Sequence, residues 1–267
     1  MIGARPPRAG AAVPSGILAP VRHRVPYHAQ WESPELVEAI TTGRTDAADD
    51  PHWARSGADS AEDYRFWSWR LCGMACLRMA LEHWRAERPA LVDLGREYLE
   101  AGAYVRREGG LHGLIYEPFA RHTRRRFGLA AEARPWLPLR ETGWQLAAGN
   151  LVMLSVHPWI RRGDTEPPTR GGHLVLAVGA GPEAVTIHNP SGWHGQSQEF
   201  VDVPWAVAQR YYAGRGVVLG PGPATPGHTA GKARFPASAR RPGSSAMSEK
   251  TTVPGPSSHS DGVSPPA

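Results

Sequence analysis

A cysteine standing where an apolar helix begins is the feature of this chain that most directly implies chemistry. In Arg70-Leu71-Cys72-Gly73-Met74-Ala75-Cys76-Leu77, Cys72 opens the apolar periodic run. A thiol there feels the positive end of the peptide dipoles, which favours the nucleophilic thiolate. Downstream, Gly171-Gly172-His173 leads into a second apolar run, and Asn189-Pro190 closes a third. Cysteine catalysis needs a thiol, a base for its proton, a group that orients the base, and donors for the oxyanion. Cys72 supplies the first and His173 the second. The side-chain carbonyl of Asn189 would accept from one ring nitrogen of His173 and select the tautomer that serves the thiol. Gly73 and Gly172, lacking side chains, leave room for a substrate backbone to approach. Cys76, one turn into the helix, reads as a packing residue.

These residues need elements to carry them. Ser33 and Pro34 read as the N-cap and first turn of a short helix over 34–40, and the polar stretch 43–63 reads as a long loop. Leu77, Leu81 and Trp84 recur at helical spacing after Cys72, predicting a buried helix over 72–84. Further helices are predicted over 91–101, 111–126 and 139–148. Short apolar runs at 151–156, 173–178, 184–188, 199–203 and 216–219, separated by Gly, Pro and Asn, predict antiparallel strands. The expected fold class is α+β, a helical half packed on an antiparallel sheet half, with the cleft between them as the place for chemistry. A hairpin from the strand after His173 to the strand before Asn189 would bring these two together.

Composition bounds the rest. The 267 residues carry a formal charge of +5, of which residues 1–24 hold +4 and residues 221–267 hold +3, leaving 25–220 at −2. The basicity therefore belongs to the ends, and no specific nucleic-acid partner is expected. The last stretch has nine prolines and no periodic apolar pattern, so 1–24 and 221–267 are expected to be disordered tails around one domain over 25–220. The basic run Arg121-His122-Thr123-Arg124-Arg125-Arg126 reads as a solvated face near a helix C-terminus. No signal-peptide core and no run of membrane-spanning length is present, so a cytoplasmic location is expected. Cysteines four residues apart on one helix are poorly placed for a disulfide, and their spacing is not that of a zinc knuckle. No metal or cofactor is expected. Of the ten tryptophans, Trp159 and Trp193 are candidates to wall a peptide-binding groove.

Val25-Pro26-Tyr27-His28-Ala29-Gln30, the Cys72-Gly73-Met74-Ala75-Cys76-Leu77 helix, Gly172-His173-Leu174-Val175 and Ile187-His188-Asn189-Pro190 resemble the papain-like cysteine peptidases related to the bacteriocin-processing family. That family cleaves leader peptides, often after a double glycine. No transporter segment follows here, so the resemblance is to its stand-alone relatives. It implies a papain-like fold with Cys72 as nucleophile, His173 as base, Asn189 as orienting residue and the amide of Gln30 in the oxyanion hole. Transporter-linked members more usually carry Asp at the Asn189 position. Compact members carry the glutamine a few residues before the cysteine, whereas forty-one residues separate Gln30 from Cys72. Either that segment is an insertion, looped out over the cleft, or Gln30 is not the equivalent residue.

The expected function is a thiol hydrolase acting on a peptide or protein through an acyl-enzyme on Cys72. Transfer of the acyl group to an amine, by a transferase or ligase, is the nearest alternative. A peptide-binding module without turnover is the alternative from another class.

Overall fold

Helices concentrate before residue 128 and strands after it in the computed structural model of the protein, which describes residues 19–108 and 110–223. The first elements are β1 (Val21–Arg22), α1 (Val37–Thr41), α2 (Ala61–Ser68), α3 (Cys72–Arg85) and α4 (Leu91–Glu100). A hairpin of β2 (Tyr104–Arg107) and β3 (Gly110–Gly113) precedes α5 (Tyr116–Phe127). The second half contains β4 (Ala130–Arg134), α6 (Glu141–Ala147), β5 (Leu151–Val156), β6 (His173–Ala180), β7 (Ala184–His188), β8 (Val201–Pro204), α7 (Trp205–Tyr211) and β9 (Tyr212–Gly220). The result is a mixed α/β architecture with separate helical and sheet regions.

The main sheet runs β4-β9-β5-β6-β7-β8, and β1 adds to β6 through Val21 opposite Ala180. Every neighbouring pair is antiparallel. All residues of β5 and β6 are buried, and α3 and α6 both pack against them. A strand covered on both faces has no solvent side, so Leu151–Val156 and His173–Ala180 read as nearly continuous apolar runs. On α3, Gly73 through Leu81 are all buried. Arg78 is the charged member of that run, paired with the equally buried Glu32 at 2.9 Å.

The structure corrects several expectations. Residues 111–113 form a strand instead of opening a helix, because they pair with Tyr104–Val105–Arg106. The ordered chain begins before residue 25, since β1 is hydrogen-bonded into the sheet. The remainder of the expected tails, at 1–18 and 224–267, lies outside the described residues. Ser33 does not cap the helix at Pro34 through its side chain, because its hydroxyl is drawn to Asp50 at 2.6 Å.

That contact belongs to a network that organises the segment between Gln30 and Cys72. The buried Asp50 carboxylate accepts from the Ser33 hydroxyl and N–H, the His52 N–H and the Tyr64 hydroxyl. Tyr64 in turn accepts from the Glu32 N–H at 2.7 Å, which links the network to the Arg78–Glu32 pair on α3. Buried donors cost free energy when unpaired, so a four-donor carboxylate holds this stretch down. It is a packed layer, with Tyr64 and Trp67 of α2 in the core. Asp50→Ala is expected to lower unfolding free energy by about 3 kcal/mol, as four donors lose their acceptor. Urea denaturation measures it, and a loss under about 0.5 kcal/mol, the level of ordinary surface substitutions, would mean the network does not hold the segment.

Candidate active site

Cys72 is the first residue of α3 and is half-buried. Across from it, His173 is the first residue of β6, and both line one cleft of about 420 Å³. The close approach of α3 to β6 is visible at two places. A Cβ on Gly73 would stand 2.9 Å from Leu114 Cδ2 and 3.2 Å from Leu174 Cδ1. One turn on, the Cys76 thiol points at the Leu174 carbonyl, 3.8 Å away. Gly73 is therefore small because leucines pack on it. It is buried and does not itself line the cleft, which corrects its expected place against substrate. Gly172 does line the cleft, with φ +91° and nothing within 4 Å of the position a Cβ would take. That backbone conformation and the open space are both permissive for a ligand main chain.

Hydrogen bonding fixes the protonation of the imidazole. Asn189 Oδ1 accepts from the backbone N–H of Ser191 at 3.0 Å. Since that N–H can only donate, the atom it meets is the amide oxygen. The same oxygen lies 2.8 Å from His173 Nε2, so Nε2 carries the hydrogen and Nδ1 is left as the ring's proton acceptor. β7 delivers Asn189 to this place because it runs antiparallel to β6, with His188 opposite Leu176. Ser191 completes the corner, its hydroxyl 3.0 Å from His173 Nε2 and accepting from Arg161 at 3.0 Å.

Burial disfavours the charged form of both His173 and Cys72. Burial pushes His173 down to about 3, the Asn189 hydrogen bond opposes this, and the nearby Arg161 cation adds to the depression. Burial also depresses Arg161, to about 10. Burial raises the Cys72 thiol above its ordinary value, against backbone hydrogen bonds from Leu174 and Gly73 that pull it down. Among the described residues the thiol makes no hydrogen bond to the His173 ring. Burial thus favours the neutral form of both the Cys72 thiol and the His173 imidazole, which line the same cleft.

The remaining expected residues lie elsewhere. Gln30 is buried, its amide nitrogen donating to the Ser68 carbonyl at 2.8 Å and its Oε1 without a partner among the described residues. It does reach the Asn189 corner through its backbone, which donates to the Pro190 carbonyl at 2.9 Å, but it does not line the cleft. Trp159 and Trp193 also do not line it. They flank Arg162, with ring centroids 6.0 and 5.9 Å from its guanidinium carbon, and the Trp193 indole N–H donates to Thr41. Trp159 sits on the same short turn as Arg161, whose guanidinium reaches Ser191.

Sequence reasoning missed Ser191, Arg161, Leu114 and Arg215. An Asn-Pro-Ser run does favour side-chain to backbone bonding at Asn, a usable signal for Ser191. Nothing local marks Arg215, whose place in the cleft follows from β9 lying beside β5. No group of three or more His, Cys, Asp or Glu side chains among the described residues is arranged to hold a metal ion. No described helix is long and apolar enough to cross a membrane.

Comparison with protein-family models, with curated proteins and with solved structures finds no match to this chain.

Buried neutral histidines give the fold an acid limit. His188 donates from Nε2 to the Val25 carbonyl and accepts from the Phe200 N–H at Nδ1, and burial holds it down to about 4. Its unfolded value is near 6.5, so below that pH the unfolded chain binds a proton that the folded chain refuses. Stability is complete above about pH 6.5 and falls toward pH 4, by about 1 kcal/mol per pH unit for each such histidine. His188→Gln, which can donate and accept but does not titrate, should flatten the decline in melting temperature between about pH 6.5 and 4.5. Identical slopes for both proteins would exclude His188 as a contributor.

Proposed function

We propose that the protein is a cysteine hydrolase of papain-like type that cleaves a peptide or related amide bond, with Cys72 as nucleophile, His173 as general base and Asn189 as the residue that positions it. The observation that carries this reading is the Nε2–H bond to Asn189. It leaves the basic Nδ1 lone pair on a histidine that shares a cleft with the half-buried Cys72.

The chemistry starts from the neutral pair. As Sγ attacks the substrate carbonyl carbon, Nδ1 takes the thiol proton, and the carbonyl π electrons move onto oxygen. The first amides of α3 have no intrahelical acceptors by helix geometry, and the Cys72 N–H is the one closest to the new oxyanion along the chain. Collapse of the intermediate expels the amine, which receives the proton from Nδ1 and leaves a thioester on Cys72. Water, deprotonated by Nδ1 in a second round, releases the acid and restores the thiol. Asn189 holds the ring by Nε2 throughout. As a neutral amide it lends less support to the imidazolium than a carboxylate would, in keeping with a proton that moves only during attack.

Binding of a peptide without turnover is the second reading, favoured by the absence of a thiol–imidazole hydrogen bond among the described residues. Cys72→Ala separates the two, since it abolishes turnover under the first reading and alters nothing measurable but alkylation under the second. On the hydrolase reading, Asn189→Ala should lower kcat by about tenfold to a hundredfold through loss of the ring's orientation. Alkylation of resting Cys72 by iodoacetamide should keep climbing with pH into the alkaline range with no plateau in the acid range, and Cys76 should stay unlabelled in the folded protein. Full reactivity near pH 5 would mean a preformed thiolate and overturn the general-base assignment.

A further inference from the structure

A second and larger cleft, of about 660 Å³, adjoins the thiol cleft, and Arg215 lines both. Its cations come from three separate parts of the chain. Arg215 stands on β9, Arg140 precedes α6, and Arg170 lies three residues before His173 on the loop that delivers the base. All three are exposed, and none forms an ion pair among the described residues. Arginines without an ion pair among the described residues occur elsewhere in the fold as well, such as Arg55, Arg107 and Arg121, so what marks this groove is that three of them line one cleft together. No aspartate or glutamate lines either cleft. This concentration of positive charge sits in a segment, 25–220, whose net charge is −2. It is a local feature of the groove and not an overflow of general basicity.

The floor of the larger cleft is built. The Leu137 N–H donates to the Gly214 carbonyl at 2.8 Å, and the buried Tyr212 hydroxyl donates to the Leu137 carbonyl at 2.6 Å. Above it stands Trp136, the most exposed large apolar side chain among the described residues at 73%. An aromatic face beside guanidinium groups on a rigid floor suits a chain that brings both carboxylates and apolar surface.

We infer that this groove is the binding subsite for an acidic peptide segment, which Arg140, Arg170 and Arg215 hold so that the adjoining bond lies over Cys72. The inference rests on the hydrolase reading for that last clause only. A peptide is the occupant because the groove continues into the cleft that holds the thiol. A nucleic acid would need basic surface along a longer track, and the acidic balance of 25–220 does not supply it.

The test uses the full chain carrying Cys72→Ala, with fluorescein-labelled peptides of alternating glutamate and alanine, or of glutamine and alanine, read by anisotropy. The glutamate peptide should bind at least about tenfold more tightly at about 50 mM salt, and the margin should shrink at about 500 mM as the charges are screened. Adding R140Q and R170Q should remove the margin while the melting temperature stays unchanged. Equal binding of the two peptides, a margin that survives R140Q and R170Q, or tighter binding of a single-stranded oligonucleotide of equal length would each overturn the subsite. Turnover by the unmodified chain separates the two proposals. If the glutamate peptide binds but is never cleaved, the subsite stands and the hydrolase reading falls. If both peptides are cleaved with equal kcat/KM, the hydrolase reading stands and the subsite falls.

Discussion

The packing of α3 against the start of β6 is the contact on which the rest of the molecule's chemistry depends. Two elements separated by nearly ninety residues of chain meet where Gly73 lies under Leu174, and the approach is close enough that a methyl group there would press on two leucines. Helix and strand both present apolar surface at this place, and burying it is favourable in rough proportion to the area removed from water. Because β6 is covered on both faces, neither its register nor its position can slide without exposing core residues. Cys72 and His173 each occupy the first position of their element. Fixing the elements therefore fixes the two side chains at a shared edge, where the helix and the strand stop covering one another and a cleft opens.

Around the histidine, hydrogen bonds do what packing alone could not. An imidazole buried to this degree could point either nitrogen inward, and the choice is made by one backbone N–H, that of Ser191, which obliges Asn189 to present oxygen. The Arg161 to Ser191 contact then places a cation behind the ring, so the neutral form is favoured from both sides, by burial and by charge. Stability and reactivity are coupled here. The same burial that positions His173 makes its protonation costly, and the neighbouring His188 carries a similar cost for a structural reason, with both ring nitrogens used by the backbone.

Much of this was legible along the chain. The helix after Cys72 and the strands at 151–156 and 184–188 follow from apolar periodicity, and the pairing of His173 with Asn189 follows from two strands joined by a short turn. Other elements were not legible, each for a physical cause. Leu111–Gly113 has helical company on its C-terminal side, but Tyr104–Arg107 recruits it as a strand, and a two-stranded ladder depends on a partner that local propensity does not reveal. Trp159 and Trp193 have the composition of groove residues, yet they flank Arg162 and do not line the cleft shared by Cys72 and His173. Gln30 reaches the right neighbourhood through its backbone while its amide is taken by Ser68.

Residue types and their order along the chain determined which chemistry is available, since a thiol, an imidazole and an amide are properties of the side chains themselves. They also determined that the helical part precedes the sheet, because hydrophobic period is a local property. Only the tertiary structure decided which nitrogen of His173 is free, that burial disfavours the charged forms of His173 and Cys72, and that three arginines from separate parts of the chain share one groove. Those outcomes depend on burial, on donors supplied by distant backbone and on the through-space sum of charges, and none of these is a function of distance along the sequence.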